Sequence, residues 1–295
     1  MVDALIDTLV LFPRGLVYVA LSIIIIGIAR IVQGLVTPYS IREQLNTQRN
    51  VALALAVTGY YLGTIIIIIG AIYQPLGLSS DGSLGFTAQF GWDVLEVFLT
   101  SLVGIAILNV ARIVVDKLIL YKFSTEKEII EDQNVGTGVV EFAVYIAVSL
   151  IIAASISGEG GGPDTSFVFL GLGMLTLILF TLFYELTTSY SIHEEIERDN
   201  TAVGVALAAN IIAIGIVAFK AVFGNFVGWT EALIAFALFA IIGFIVLLVV
   251  RLLFDLVLHP HANVSRELAV EQNLGFAFLK GSVVIGASMI LFFAI

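Results

Sequence analysis

Eight apolar stretches, each about twenty residues long, dominate this sequence of 295 residues. The hydrocarbon core of a bilayer is about 30 Å thick, so a helix needs about 20 such residues to cross it. The stretches cover approximately residues 15–36, 51–73, 94–115, 135–156, 166–186, 201–222, 232–258 and 274–295. Only 12% of the residues are charged and 60% are hydrophobic, which excludes an ordinary soluble domain. We therefore expect a polytopic membrane protein with eight spans.

The backbone inside a bilayer has no water to bond, so only helices and closed barrels can span it. Continuous apolar runs such as residues 65–69 lack the alternation that is typical of barrel strands. The predicted fold class is therefore all-α, with eight transmembrane helices.

The basic residues predict an orientation. Ten of the thirteen Lys and Arg lie in the loops after spans one, three, five and seven, or at the helix ends that enter them. These ten are Arg30, Arg42, Arg49, Arg112, Lys117, Lys122, Lys127, Arg198, Arg251 and Arg266. The positive-inside rule places this face in the cytoplasm and both termini outside. Residues 1–12 carry Asp3 and Asp7 where a signal peptide needs a basic segment, so we expect none there.

A short motif recurs at the end of each of these loops. An Asn follows a Glu by six places, or by seven in the first copy, and small residues stand two and four places after the Asn. The motif residues are Glu43, Asn50, Glu128, Asn134, Glu194, Asn200, Glu267 and Asn273. Asn is a favoured N-cap residue and carboxylates suit the positive end of a helix, so the motif predicts four caps with closely packed helices. The alternative is that the four helix starts converge and hold an ion or a partner.

A second repetition relates the two halves of the chain. Residues 37–43 return with similar sequence as 188–194, and Gly91-Trp92 returns as Gly228-Trp229. We therefore predict two tandem four-helix units, residues 1–157 and 158–295, joined by a glycine-rich loop.

The Glu and Asn motif, which follows a Tyr-containing loop and occurs twice per four-helix unit, resembles the YjfL-like family of inner-membrane proteins, also known as domain of unknown function 350. The resemblance covers the whole chain as two copies. It implies a prokaryotic four-helix domain of the inner (plasma) membrane, and it brings no activity and no catalytic residue with it.

Two charges lie well inside the predicted spans. Glu141 and Lys280 each stand seven residues after a motif Asn, which places both about 10 Å deeper than the cap. Because isolated charges there are unfavourable, we expect the two to form a direct or water-bridged pair across the halves. The alternative is that Lys280 extends to the surface while Glu141 is protonated or faces a water-filled crevice.

Further charges near the same interface suggest a belt. An Arg and an Asp stand four residues apart in spans three and seven, a spacing that predicts pairing along one helix face. The expected belt comprises Arg30, Arg112, Asp116, Glu185, Arg251 and Asp255.

Catalytic and cofactor motifs are missing from the sequence. It has no metalloprotease, phosphate-loop or dinucleotide motif, and no Cys. His193, His259 and His261 all fall in the predicted inner loops. We expect His259 and His261 to be solvated, with metal binding by the two near Glu267 as the alternative, and we expect no cofactor. The sequence thus favours a protein that is not an enzyme.

Two functions remain open at this stage. The leading expectation is a channel or transporter for a small ion or solute through a pseudosymmetric bundle. The alternative is a structural scaffold that docks a cytoplasmic partner through acidic loops. The ten residues before each motif Asn hold eleven carboxylates and five basic residues in total, so any partner at this face should be a small cation or a basic protein. The net charge of −10 argues against nucleic acid, and association of copies remains open.

Overall fold

A computed structural model describes residues 2–73, 86–158, 160–258 and 263–294 of this chain, with the side chains of residues 2–11, 115, 116, 257 and 258 excluded. Within these ranges every regular element is helical, and eight helices are long and apolar enough to cross a membrane. The predicted fold class, all-α with eight spans, is confirmed.

The eight long helices contain the predicted spans. They are α1 (Val2–Val36), α3 (Val51–Tyr73), α4 (Ala88–Ile119), α6 (Val135–Ile156), α7 (Pro163–Leu186), α9 (Thr201–Val222), α10 (Trp229–Leu253) and α11 (Leu274–Ala294). Three short helices precede α3, α6 and α9, namely α2 (Ile41–Asn46), α5 (Thr125–Ile130) and α8 (Ile192–Glu197). A π-helical turn (Phe254–Leu258) extends α10, and another (Arg266–Val270) precedes α11. We call the side of the molecule that carries these short elements the Asn face, after its four motif asparagines.

The long helices form two layers. In the first layer, here called the row, α3, α6, α9 and α11 lie side by side in that order. The second layer consists of α1, α4, α7 and α10, which pack on the row and leave most of their own surface exposed. The middle helices of the row, α6 and α9, are the most deeply buried. The two halves therefore meet where α6 contacts α9.

Small residues allow the row helices to touch through their backbones. A Cβ atom added at Gly138 would lie 2.6 Å from the Cα atom of Ala52, and one added at Gly204 would lie 2.6 Å from that of Gly136. Each of these contacts joins the small residue four places after one motif Asn to the small residue two places after the preceding motif Asn. The small positions of the motif thus form the helix contacts of the row.

The same register continues along the helices. A Cβ atom at Gly215 would lie 2.7 Å from the Cα atom of Ala147, and one at Gly281 would lie 2.7 Å from the Cβ atom of Ala209. Close backbone approach of this kind is the usual way in which membrane helices gain packing energy, because lipid offers no hydrophobic drive for association.

We predict that Gly204→Ala destabilises the protein and that Gly171→Ala does not. The backbone of Gly136 occupies the space where a Cβ atom of residue 204 would lie. An added methyl group must therefore push α6 and α9 apart, at a cost of about 1–3 kcal/mol. Gly171 on α7 has no atom within 4 Å of a Cβ position, so there the gain in helix propensity should make the change neutral or stabilising. Thermal unfolding of the two purified variants in one detergent checks the difference in sign. Equal melting temperatures would contradict the close contact between α6 and α9.

Candidate functional site

Each motif Asn begins a helix of the row and caps it. The side-chain oxygen of each Asn accepts a hydrogen bond from the backbone N–H three residues later, at 2.9 to 3.2 Å. The four donors are Leu53, Thr137, Val203 and Phe276. The cap satisfies a helix N–H group that would otherwise be unpaired at the membrane interface.

The amide nitrogen of the same Asn ties one repeat to the next. Asn50 Nδ2 donates to the carbonyl of Ile129 (2.7 Å), and Asn134 Nδ2 donates to that of Ile196 (2.6 Å). Asn200 Nδ2 donates to the carbonyl of Leu268 (2.9 Å). These three Asn side chains are at most 1% exposed. One buried amide therefore connects each of α3, α6 and α9 to the short element of the following repeat.

The Asn amide also bonds within its own repeat, to a side chain of the preceding short element. The acceptors are Gln44, Glu128, Glu195 and Glu267. The residue before each Asn adopts a left-handed conformation, with φ between 49° and 63°. These residues are Arg49, Gln133, Asp199 and Gln272. Four non-glycine residues in this conformation mark a repeated tight turn between each short element and its row helix.

The structure corrects two of the predicted motif carboxylates. Glu43 and Glu194 are exposed, and the Asn amides bond instead to Gln44 and Glu195. The turn can place either the sixth or the fifth preceding residue beside the Asn, and a Gln oxygen accepts as well as a carboxylate. A better sequence signal is an acid or amide followed at once by Leu or Ile, since that next residue supplies the carbonyl that the preceding repeat bonds.

The intramembrane charges pair within each half, and the predicted pair of Glu141 with Lys280 is wrong. The Glu141 carboxylate, which is fully buried, accepts from Arg112 Nε at 3.2 Å and from Arg112 Nη2 at 3.1 Å. Lys280 Nζ, whose side chain is 3% exposed, lies 3.2 Å from Asp255 Oδ1. The physical reason is the order of the row, because α9 stands between α6 and α11.

The predicted pairing of Arg251 with Asp255 is also replaced. The Arg251 guanidinium donates to Thr187 Oγ1 at 3.0 Å and lies over the ring of Tyr184. The helix becomes π-helical at Phe254, and the wider turn rotates Asp255 towards α11 and Lys280. The Asp116 side chain lies outside the described residues, and Arg30 is exposed on α1.

His193 is buried, although the sequence places it in an inner loop. Its Nδ1 lies 2.6 Å from Glu185 Oε1, and its Nε2 lies 2.6 Å from the carbonyl oxygen of Ile119. The ring thus bonds a side chain of α7 through one nitrogen and the main chain at the end of α4 through the other. The contact joins α8 and α7 of the second half to the end of α4 in the first. His259 and His261 lie outside the described residues.

A cavity of about 670 Å³ opens on the side opposite the Asn face, between the two halves. The lining comes from α4, the end of α6, α7, the end of α9 and α10. Glu96 is the one charged side chain among the described lining residues, and Thr100 lies one turn below it on α4. The deepest α4 residue of the lining is Ile107. In the described part of the chain, no group of three His, Asp or Glu could hold a metal ion.

These features define a polytopic, all-α membrane protein built from two tandem four-helix units. The chain belongs to the family described as Domain of Unknown Function (DUF350), which matches residues 5–156 and 162–295. The two matched segments correspond to the two four-helix halves.

Two relatives support the same assignment. A UPF0719 transmembrane protein of Aquifex aeolicus (strain VF5) is 22% identical over 257 residues, which cover 85% of this chain and 88% of the relative. The UPF0719 transmembrane protein YshE of Bacillus subtilis (strain 168) is 27% identical over 119 residues, which cover 40% of this chain and 84% of that protein. No solved structure matches the chain significantly.

We predict that Glu128→Gln preserves the stability of the protein and Glu128→Ala lowers it. Burial raises the pKa of the Glu128 carboxyl, and the hydrogen bond from Asn134 opposes this only in part. A Gln keeps the acceptor, as Gln44 does in the first repeat, and removes the buried charge. An Ala leaves the buried Asn134 amide with one partner fewer, which costs about 1–3 kcal/mol.

The pH dependence gives a second readout for the same variants. A carboxyl whose pKa is raised on folding binds its proton more tightly in the folded state, so stability increases as the pH falls through that raised value. We therefore expect the wild type to gain stability relative to Glu128→Gln when the pH of a thermal unfolding assay is lowered from 7 to 5. An unchanged difference between the two proteins would contradict the burial of this charge.

Proposed function

We propose that this protein is a transporter for a small cation or a small solute with a cationic group, which binds in the cavity between the two halves. The observation that carries the proposal is the cavity itself, whose volume of about 670 Å³ lies within the range of ligand sites. In repeat-built transporters, substrate sites lie at the interface between the repeats. Glu96, as the single charge among the described lining residues, favours a cation.

In this proposal, a route from the cavity towards the Asn face would follow α4. Ile107, at the bottom of the cavity, precedes Arg112 by five residues, or about 7.5 Å along the helix. The Arg112 side chain is 25% exposed, whereas its partner Glu141 is fully buried. An ion pair just beyond a cavity is a barrier that must rearrange before a solute passes. This arrangement favours a transporter with alternating states over an open channel.

The proposal places the Asn face in the cytoplasm and the cavity mouth outside, in the inner (plasma) membrane of a prokaryotic cell. Ten of the thirteen Lys and Arg lie at the Asn face, in agreement with the positive-inside rule. The cavity would then receive its solute from outside the cell.

The cysteine-free chain allows a direct test of the cavity by single-cysteine labelling of intact cells with a membrane-impermeant cationic thiol reagent. We expect Thr100→Cys to react because it lines the cavity, and Glu231→Cys to react because it is exposed on the same side. Leu238→Cys is the matched control. Leu238 lies nine residues after Trp229 on α10, a position along the helix close to that of Thr100, which lies eight residues after Trp92 on α4. Leu238 faces lipid, however, and should stay unlabelled. If Thr100→Cys reacts no faster than Leu238→Cys, the cavity is closed to water and the proposal fails.

Transport is measured by uptake of methylammonium and of K⁺ into proteoliposomes. We expect Glu96→Gln to reduce uptake at least tenfold, because it removes the charge at the site. Glu231→Gln removes a charge from the same side outside the cavity and should leave uptake unchanged. Absence of uptake of both cations by the wild type would count against a cation transporter.

A second candidate function, docking of a basic protein, is favoured by the surface of the Asn face. Eight of the eleven carboxylates before the motif Asn residues are exposed, together with all five basic residues. These carboxylates are Glu43, Glu126, Glu131, Asp132, Glu194, Glu197, Asp199 and Glu271. Lys127 and Arg266 are already paired with acidic neighbours. The surface therefore has an excess of negative charge to offer.

For this second function we expect the combined change of Glu126, Glu194 and Glu197 to Gln to weaken binding of a lysine decapeptide to the protein in zwitterionic nanodiscs by at least tenfold. The matched control neutralises Asp93, Asp164 and Glu231 on the opposite side and should weaken binding far less. Surface plasmon resonance at low salt measures both. Equal losses in the two variants would mean that the Asn face has no special role in docking.

A further inference from the structure

The row is built from one contact that occurs three times within the chain and is left open at both ends. Asn50, Asn134 and Asn200 each donate to the next repeat, and all three are buried. Asn273 follows the same rule inside its own repeat, where it caps α11 and bonds Glu267 at 2.9 Å. Its side chain is nevertheless exposed, and among the described residues it bonds no other repeat.

The matching acceptor lies at the other end of the row. In each internal contact the carbonyl belongs to the residue directly after the side chain that bonds the local Asn, as Ile129 follows Glu128. In the first repeat that side chain is Gln44, so the equivalent carbonyl is that of Leu45. Among the described residues, none donates a hydrogen bond to this carbonyl.

A line of small residues on α11 is an independent sign of the same open contact. Small residues stand two, nine and thirteen places after all four motif Asn residues. They are Ala52, Gly59 and Gly63; Gly136, Ala143 and Ala147; Ala202, Ala209 and Ala213; and Gly275, Ser282 and Gly286. The first three sets are buried. Six of their nine members lie in close contacts with the next row helix in which at least one of the two residues is a glycine.

Among the described residues, no further row helix packs against the fourth set, which lies on α11. Gly275 and Ser282 are exposed, and no atom lies within 4 Å of a Cβ position at Gly286. Elsewhere on α11 the lipid-exposed positions are large, as at Phe278 and Ile290. A helix that faced only lipid here would have no need of small residues, because small residues serve close helix contact.

The complementary surface is on α3. Inside the chain, the residues that pack against a line of small residues stand four, eight and fifteen places after the next motif Asn. Gly138, Phe142 and Ser149 of α6, for example, pack in this way against α3. The equivalent residues of the first repeat are Ala54, Thr58 and Ile65, which meet no preceding repeat in this chain. In this register Ile65 would face Gly286, at the position where Ser149 meets Gly63 inside the chain.

We propose that a second copy of this chain continues the row, with α11 of one copy packed against α3 of the next and Asn273 Nδ2 bonded to the Leu45 carbonyl of that copy. The contact joins two different surfaces, so repetition gives a closed ring if the rotation closes and an open array if it does not. The Bacillus subtilis relative supports this reading, since the matched 119 residues make up 84% of a protein about one unit long. Such a protein can form the equivalent of the bond from Asn134 to Ile196 only between separate chains.

Native mass spectrometry of the chain in nanodiscs taken directly from the host membrane tests the proposal. We expect the wild type to appear as a multiple of the chain mass and Gly286→Leu to appear as a single chain. The added side chain has open space within one copy, so this variant should fold, and its thermal unfolding curve checks that it does. Gly27→Leu is the matched control, because Gly27 on α1 has equal open space and lies off the row.

A rescue variant tests the register itself. Adding Ile65→Gly to Gly286→Leu exchanges the large and the small residue across the contact, and we expect it to restore the multiple chain mass. A wild type found as a single chain would overturn the proposal, with or without bound lipid on α11. An added mass that is not a multiple of the chain mass would indicate another protein and would also overturn the proposal. A Gly286→Leu variant that assembles as the wild type does would overturn it as well.

Discussion

The hydrogen bond from a motif asparagine to the main chain of the following repeat, which Asn50, Asn134 and Asn200 make, is the interaction on which the architecture depends. One amide side chain caps its own helix, holds the short element before it and reaches the carbonyl of the next short element. At a membrane interface, each of these polar groups would otherwise be unpaired or would draw water into the packing. Because the bond recurs at the same point of each repeat, it sets the height and rotation of each row helix against the one before. The small-residue contacts deeper in the bilayer follow from that register.

The parts of this structure that follow from local pattern were accessible from the sequence. The length of the apolar runs predicts eight spans, and the recurring Asn with its small neighbours predicts where the row helices begin and how closely they pack. The partners of Glu141 and Lys280 were not accessible, because they depend on which helices are neighbours in the row. The turn of Asp255 towards Lys280 depends on a change of helix type at Phe254 that has no clear signal in composition. His193 was missed because a single histidine in a polar loop resembles a solvated residue until a carboxylate and a helix end are placed beside it.

The two halves neutralise their intramembrane charges with opposite polarity. In the first half the cation is on α4, a helix of the second layer, and the anion is on the row helix α6. In the second half the anion lies in the π-helical turn that extends α10, a helix of the second layer, and the cation is on the row helix α11. Each pair joins two helices that are adjacent in sequence, so each four-helix unit can enter the bilayer without an unpaired charge at this depth. A pair across the halves would have left both units charged until they met, at a cost of several kcal/mol.

The side-by-side order of the row has a consequence for how the protein loosens. Within the row a helix touches only its immediate neighbours, so its local stability grows with the number of its sides that another row helix covers, as in soluble repeat proteins. The middle helices α6 and α9 are held on both sides, whereas α3 and α11 are held on one. In a single copy, amide hydrogens should therefore exchange fastest in the row helices at the two ends and slowest around the contact of Gly136 with Gly204. The protein is thus graded in rigidity along the row, and its most protected point is the seam at which the two units join.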